Sequence, residues 1–136
     1  VQPKIKLKPW GREIWFAATK NYAGKILEVK KGERLSLQFH KKKEETQFLF
    51  SGKVRLTFGI DSQKLKNKIL KAGEVFHIPP GMIHRIEGIA SLSKIFEVST
   101  PELTDVVKIS DDYGRSGSGN DEKLDRSLAR KISSSK

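Results

Sequence analysis

Not one of the 136 residues is cysteine, which excludes a disulfide framework, a thiolate zinc site and a cysteine nucleophile together. A reducing compartment suits such a chain, and a cytoplasmic location is the expectation. Long apolar runs are missing as well: nothing approaches the roughly 20 residues of a membrane-spanning helix. Residues Val1 to Trp10 alternate lysine with apolar side chains, which is not the continuous apolar run of a secretory signal. The chain starts on valine, so upstream residues are expected to have preceded it. Histidine is scarce, with 3 in all, so any imidazole chemistry rests on very few positions.

Negative charge is the next shortage. Against 27 Lys and Arg stand 16 Asp and Glu, a formal charge of +11. Nucleic-acid binders concentrate such charge on one face and interleave aromatics with it. Here the lysines are scattered, and the one dense run, Lys41-Lys42-Lys43, meets Glu44-Glu45 at once. A lysine-rich solvated surface is the first reading. Attraction of small anionic substrates such as sugar phosphates by the field of the whole protein is the second, and nucleic acid the third.

What the chain does have is short β-type runs. Arg12–Ala17, Gly24–Lys30, Arg34–His40, Thr46–Phe50, Val54–Ile60, Glu74–Ile78, Ile83–Glu87 and Leu92–Ser99 are rich in Ile, Val, Leu, Phe and Thr. Turn signals separate them, among them Lys31-Gly32-Glu33, Ser51-Gly52-Lys53 and Pro79-Pro80-Gly81. Strands this short and evenly spaced predict an all-β sandwich or barrel. Alternation over Arg34–His40 sends Ser36, Gln38 and His40 to one face and Leu35, Leu37 and Phe39 to the other. A strand with one apolar face and one ligand-bearing face suits a barrel with a polar lumen. Past Pro101 the character changes: Ser116-Gly117-Ser118-Gly119-Asn120 reads as a flexible linker. Asp121–Lys131 could form a short charged helix, with Leu124, Leu128 and Ile132 as a thin apolar stripe. Residues 116–136 are therefore expected to be a flexible or partly helical tail behind a single domain at 8–115.

Two segments carry a paired pattern. The first runs from Gly32 through Gln38, His40 and Glu45 to Gly52; the second from Gly73 through Pro79-Pro80-Gly81 to His84. In spacing both resemble the two motifs of the cupin superfamily, with Gln38 in place of a first His and Gly88 in place of a closing Asn. The resemblance implies a single double-stranded β-helix, or jelly-roll barrel. It also implies one divalent metal held by Gln38, His40, Glu45 and His84. Two imidazoles, a carboxylate and an amide oxygen suit zinc first, with manganese, iron, cobalt or nickel as alternatives. His77 is expected along the strand wall, and Glu44, adjacent to Glu45, in solvent.

The Gln-x-His form narrows the likeness. Together with Lys8-Pro9-Trp10-Gly11, Leu35-Ser36-Leu37-Gln38, the run from Pro79 to His84-Arg85, and Asp111-Asp112-Tyr113-Gly114-Arg115, it resembles the cupin domain of mannose-1-phosphate guanylyltransferase/mannose-6-phosphate isomerases. That resemblance implies a metal-dependent aldose–ketose isomerase of a phosphorylated sugar. Lys25, Glu97 and Lys108 are the candidates for proton transfer. Arg115 and Lys108, then Arg12 and Lys25, are candidates for the phosphate, and Trp10 for stacking on the sugar. For Arg115 a salt bridge pinning the C-terminal segment is the competing role, and for Trp10 a place in the core. Thr46-Gln47 stands where relatives carry His-Trp, and Lys108 where an Arg is expected. A non-catalytic sugar- or sugar-nucleotide-binding cupin accessory to polysaccharide synthesis is therefore the alternative, and an oxygenase or epimerase cupin a third reading. A homodimer is expected, since small cupins resemble one another in pairing through exposed sheet edges and an uncovered edge is a liability.

Overall fold

The computed structural model describes residues 1–135, and side chains as far as residue 132; Lys136, the last residue of the expected tail, lies outside the described residues. In chain order the strands are β1 (Lys4–Lys8), β2 (Gly11–Ala18), β3 (Ala23–Lys30), β4 (Leu37–Phe39), β5 (Glu45–Ser51), β6 (Lys53–Gly59), β7 (Lys66–Lys71), β8 (Val75–Ile78), β9 (Ile83–Gly88), β10 (Leu92–Ser99), β11 (Val107–Ser110) and β12 (Gly117–Ser118). A helix, α1 (Glu122–Ser135), follows them. The strands form two six-stranded sheets, ordered β1-β2-β3-β10-β5-β8 and β12-β11-β4-β9-β6-β7. Each named pairing is antiparallel.

The sheets close on a core to which both contribute. Leu27, Val29, Leu49 and Ile95 come from the first; Val54, Leu56, Leu70 and Ile86 come from the second; Trp10 completes the cluster. Each fully buried aliphatic side chain contributes on the order of 2 kcal/mol of hydrophobic stabilisation. This apolar packing fills one part of the lumen and leaves polar side chains to line the rest.

All eight strands expected from the sequence are present, with small differences at their ends. The largest is Arg34–His40, of which only Leu37–Phe39 is regular, preceded by a bridge from Arg34 to Glu87. Leu35, ahead of that strand, packs against the core and does not share an outward face with Leu37 and Phe39. Four further strands, β1, β7, β11 and β12, are not among those expected from the sequence. In β7, Lys-Asn-Lys-Ile-Leu-Lys, Leu70 is the one buried residue, so pairing with β6 makes the strand and its own pattern does not.

Two glycines of the paired motifs are set by crowding. Gly52 turns β5 into β6 at φ +95°, and a Cβ there would sit 2.4 Å from Ser93 Oγ. Gly88, where the superfamily pattern has Asn, lies so close to Lys30 that a Cβ would fall 2.3 Å from its carbonyl oxygen. Only glycine fits either place without displacing a neighbour.

Beyond Arg115, the segment expected to be flexible or partly helical carries a short strand and a helix. Gly117 and Ser118 pair with Lys108 and Val107 as β12. Asp121 caps α1 through its carboxylate, which accepts the Leu124 backbone N–H at 3.0 Å. The helix docks on β1 by charge: Glu122 accepts from Lys6, and Asp125 from Lys8 at 2.7 Å. Leu124, first of the apolar stripe, is exposed.

Candidate metal centre

Antiparallel pairing puts Gln38 of β4 directly opposite His84 of β9, and Glu45 opens β5 on the facing sheet. His40 follows β4 on the same inward parity as Ser36 and Gln38. His40, Glu45 and His84, all buried, bring one donor atom each within 4.8 Å of the others. His40 Nε2 lies 3.4 Å and His84 Nε2 3.3 Å from Glu45 Oε1. Gln38 lines the same cavity, its amide oxygen accepting from the Ser36 hydroxyl at 2.6 Å.

Both imidazoles are held by their other nitrogen. His40 Nδ1 meets the Asp105 carbonyl, and His84 Nδ1 the Met82 carbonyl at 2.9 Å. A carbonyl can only accept, so each Nδ1 donates to it and each ring presents its Nε2 to Glu45. His40 Nε2 is moreover buried with no hydrogen-bond partner, which is costly for such a group. This donor set fits a divalent metal ion, with two imidazole nitrogens, a carboxylate and the Gln38 amide oxygen close by.

Burial alone would push the Glu45 carboxyl up; the adjacent His40 and His84 rings and the Lys43 ammonium hold it well below the usual carboxylate range. Lys43 is a correction to the solvated reading of its lysine run, for it is 2% exposed. Its Nζ lies 3.0 Å from Glu45 Oε2 and 3.1 Å from Glu97 Oε2. Despite burial, those two carboxylates hold it above the ordinary ammonium value. Its backbone is fixed by Asp105, whose carboxylate accepts the N–H groups of Lys41, Lys42 and Lys43 at 3.1, 2.7 and 2.9 Å.

A row of polar side chains continues from there across the inner face of the first sheet. Lys25, Glu97 and Gln47 are cross-strand neighbours. Gln47 Nε2 donates to Glu97 Oε1 at 3.1 Å, and Lys25 Nζ stands 3.7 Å from Glu97 and 3.4 Å from Glu13. Burial raises the Glu13 pKa, but Lys25, Lys8 and the Trp15 N–H together bring it down to about 2. Neither Glu13 nor Gln47 was legible as a site residue, because each becomes one only through its neighbour on another strand.

Lys25, Glu97, Lys108, Trp10 and Arg115 all line the cavity that contains the metal cluster, a cleft of about 550 Å³ including its open mouth. Trp10 does so from the core, at 2% exposure, so its ring is largely covered by protein. Lys108 donates to the Gly119 carbonyl, and burial with the nearby Arg115 charge lowers its pKa. Arg115 binds Asp111 through Nε and Nη2, at 3.0 and 2.7 Å, and Asp125 through Nη1 at 3.2 Å, the pinning role anticipated for it. Arg12 is a correction: on β2 the inward position is Glu13, so Arg12 points outward, pairs with Glu28, and does not reach the cavity. His77 and Glu44 face solvent as a pair at 2.6 Å.

Comparison with known proteins agrees with this geometry. The family model described as mannose-6-phosphate isomerase C-terminal matches residues 3–111. Mannose-1-phosphate guanylyltransferase ManC of Salmonella typhimurium is 33% identical over 112 residues, 79% of this chain and 22% of that protein. Xanthan biosynthesis protein XanB of Xanthomonas campestris is 29% identical over 112 residues, again 79% of this chain and 23% of that one. The chain thus spans less than a quarter of the length of these relatives. Among solved structures, capsular polysaccharide assembling protein CapF from Staphylococcus aureus superimposes with a TM-score of 0.70 at 19% identity, over 79% of this chain and 34% of CapF. Oxalate decarboxylase from Bacillus subtilis gives 0.65 at 23% identity, over 78% and 29%. With a cupin barrel, a His-Glu-His cluster in its lumen and a family match over most of its length, the chain belongs to the mannose-6-phosphate isomerase C-terminal family.

Proposed function

We propose that this domain binds one divalent metal, zinc in the first instance, and isomerises a phosphorylated aldose to its ketose, as mannose-6-phosphate isomerases do. The observation that carries the reading is the buried, unpartnered His40 Nε2 facing Glu45 and His84 in a cavity that Lys8, Lys25, Lys43, Lys108 and Arg115 also line. When bound, the metal would supply Lewis-acid polarisation of the sugar carbonyl and stabilisation of the developing oxyanion. His40, Glu45, His84 and Gln38 would hold it.

The remaining chemistry falls to the chain itself. Aldose–ketose exchange moves one proton between adjacent carbons, which requires a base held in the cavity. Glu97 suits that role, because it lies on the cavity wall and Lys25, Lys43 and Gln47 fix both its oxygens. Lys25 serves as the neighbouring acid, while Lys43 couples Glu97 to Glu45. The cations Lys108 and Arg115 sit at the other side of the same cavity, where an anionic substituent of the sugar would be held.

Turnover measured on a panel of hexose and pentose phosphates, with metal content determined on the same sample, tests the reading. Isomerisation that Glu97→Gln abolishes while leaving metal bound supports it. A metal-loaded protein that binds sugar phosphates and turns none over would refute isomerisation and favour an accessory cupin of polysaccharide synthesis.

Two further properties belong to this proposal. The domain acts in the cytoplasm, where phosphorylated sugars are metabolised; among the described residues no helix is long and apolar enough to cross a membrane. It also works as a homodimer. The outer face of the first sheet carries a cross-strand row, Ile14, Ile26, Phe96, Phe48 and Val75, in register over five strands. Phe96, Phe48 and Val75 are exposed, and Phe50 stacks on Phe96 at 5.0 Å. An apolar face five strands wide spans about 20 Å, the scale of an interface burying roughly 800 Å² per partner. Arg12, Glu28 and Lys94 beside it mix both signs of charge, which suits a second copy of the same face.

A further inference from the structure

The cationic end of the cavity already holds a carboxylate, and it belongs to the C-terminal helix. Asp125 is 2% exposed. Its Oδ2 accepts from Lys8 Nζ at 2.7 Å and its Oδ1 from Arg115 Nη1 at 3.2 Å. Lys108 stands beside the same group, feeling Arg115, Asp125 and Lys8 together. Lys8, Lys108 and Arg115 all line the cavity that the metal cluster occupies. Asp111 satisfies two nitrogens of Arg115 and two backbone N–H groups. That leaves one carboxylate, Asp125, between the Lys8 ammonium and the third guanidinium nitrogen.

We propose that Lys8, Lys108 and Arg115 form the subsite for the phosphate monoester of the substrate, and that Asp125 is an internal counter-ion which a phosphate displaces. The proposal rests on the sugar-phosphate reading above for the identity of the ligand. Two features make the occupant removable. Its helix is attached chiefly through the Lys6–Glu122, Lys8–Asp125 and Arg115–Asp125 ion pairs, with Leu124 exposed and Leu128 and Ile132 only half-buried. A dianionic phosphate offers the same cations more charge and more acceptor oxygens than one carboxylate. The helix therefore acts as a competitor: the apparent affinity for phosphate is the intrinsic affinity reduced by the fraction of molecules with Asp125 withdrawn.

The test is calorimetric titration of the full chain with inorganic phosphate, with mannose 6-phosphate and with mannose. Asp125→Asn keeps the side-chain shape and removes the charge; it should bind both phosphates roughly tenfold more tightly than wild type, with no gain for mannose. Lys8→Gln should weaken both. Glu122→Gln breaks the exposed contact on the same helical turn but leaves the Asp125 charge in place, so it should raise phosphate affinity far less than Asp125→Asn does, which separates removal of the counter-ion from general loosening of the helix. If Asp125→Asn is destabilised, its melting temperature should recover with added phosphate by more than wild type gains. Unchanged or weaker phosphate binding by Asp125→Asn, with no such recovery, overturns the proposal. A gain for phosphate without isomerisation of any sugar phosphate would leave the subsite standing and remove the isomerase reading. Turnover with a KM that neither Lys8→Gln nor Asp125→Asn alters would do the reverse.

Discussion

Asp105 shows how one residue can organise a metal centre without touching it. Its carbonyl fixes the His40 ring and its carboxylate gathers three consecutive backbone N–H groups ahead of Glu45. Removing such an outer partner commonly costs about 10–100-fold in metal affinity. Asp105→Ala keeps the backbone carbonyl that holds His40 but frees the 41–43 backbone ahead of Glu45, so it should weaken metal binding by about tenfold in a chelator competition, while His40→Ala and His84→Ala should abolish it by elemental analysis. A wild type that takes up no zinc or manganese on soaking would contradict the site itself. Glu13 gives a pH prediction. Its carboxyl is held at about 2 against an ordinary 4.5, so the unfolded chain binds the proton more readily. The resulting stability, on the order of 3 kcal/mol, is fully present above about pH 4.5 and is lost as pH falls towards about 2. The stability difference between wild type and Glu13→Gln, from urea unfolding, should be largest near neutrality and shrink across that interval.

At the level of elements, the most buried contacts of α1 are ion pairs, while the barrel core is apolar. The ion pairs that Asp125 makes with Lys8 and Arg115 are largely desolvated, and deleting one partner of a buried pair typically costs about 3–5 kcal/mol. Ending the chain after Asn120 should lower the melting temperature by on the order of 10 °C, and added phosphate should restore part of the loss. A truncated chain that melts with wild type would show that the helix contributes nothing to the folded domain. Stripping the metal with a chelator should lower the melting temperature independently, because the ion binds only the folded arrangement.

For the whole molecule, the apolar row on the first sheet is the face on which the proposed homodimer rests. Phe96 has Ile26 and Phe48 as cross-strand neighbours, so a charge placed there would sit at the centre of the proposed interface. Light scattering at tens of micromolar should give a dimeric mass for wild type and a monomeric mass for Phe96→Lys, with metal content unaltered. A monomeric wild type would remove the homodimer from the proposal.

The all-β class, eight strands and the inward parity of His40 and Glu45 were determined by the sequence alone. Period-two alternation and turn residues are local signals, and paired-motif spacing encodes where two strands return to one lumen. Other features needed the tertiary structure. β7 is a strand because β6 pairs with it, and Leu70 alone records that in its side chains. Lys43 and Glu13, by composition two more charged residues, are buried because carboxylates or lysines from other strands meet them. Arg12 and Glu13 are adjacent in sequence and opposite in space, so only the actual pleat assigns one to the surface and the other to the cavity. Asp125 lies 117 residues from Lys8 within a segment whose composition suggests a free tail. Its place in the site follows from a long-range charge pairing that no local pattern carries, since electrostatic partners are chosen by the fold that brings them together.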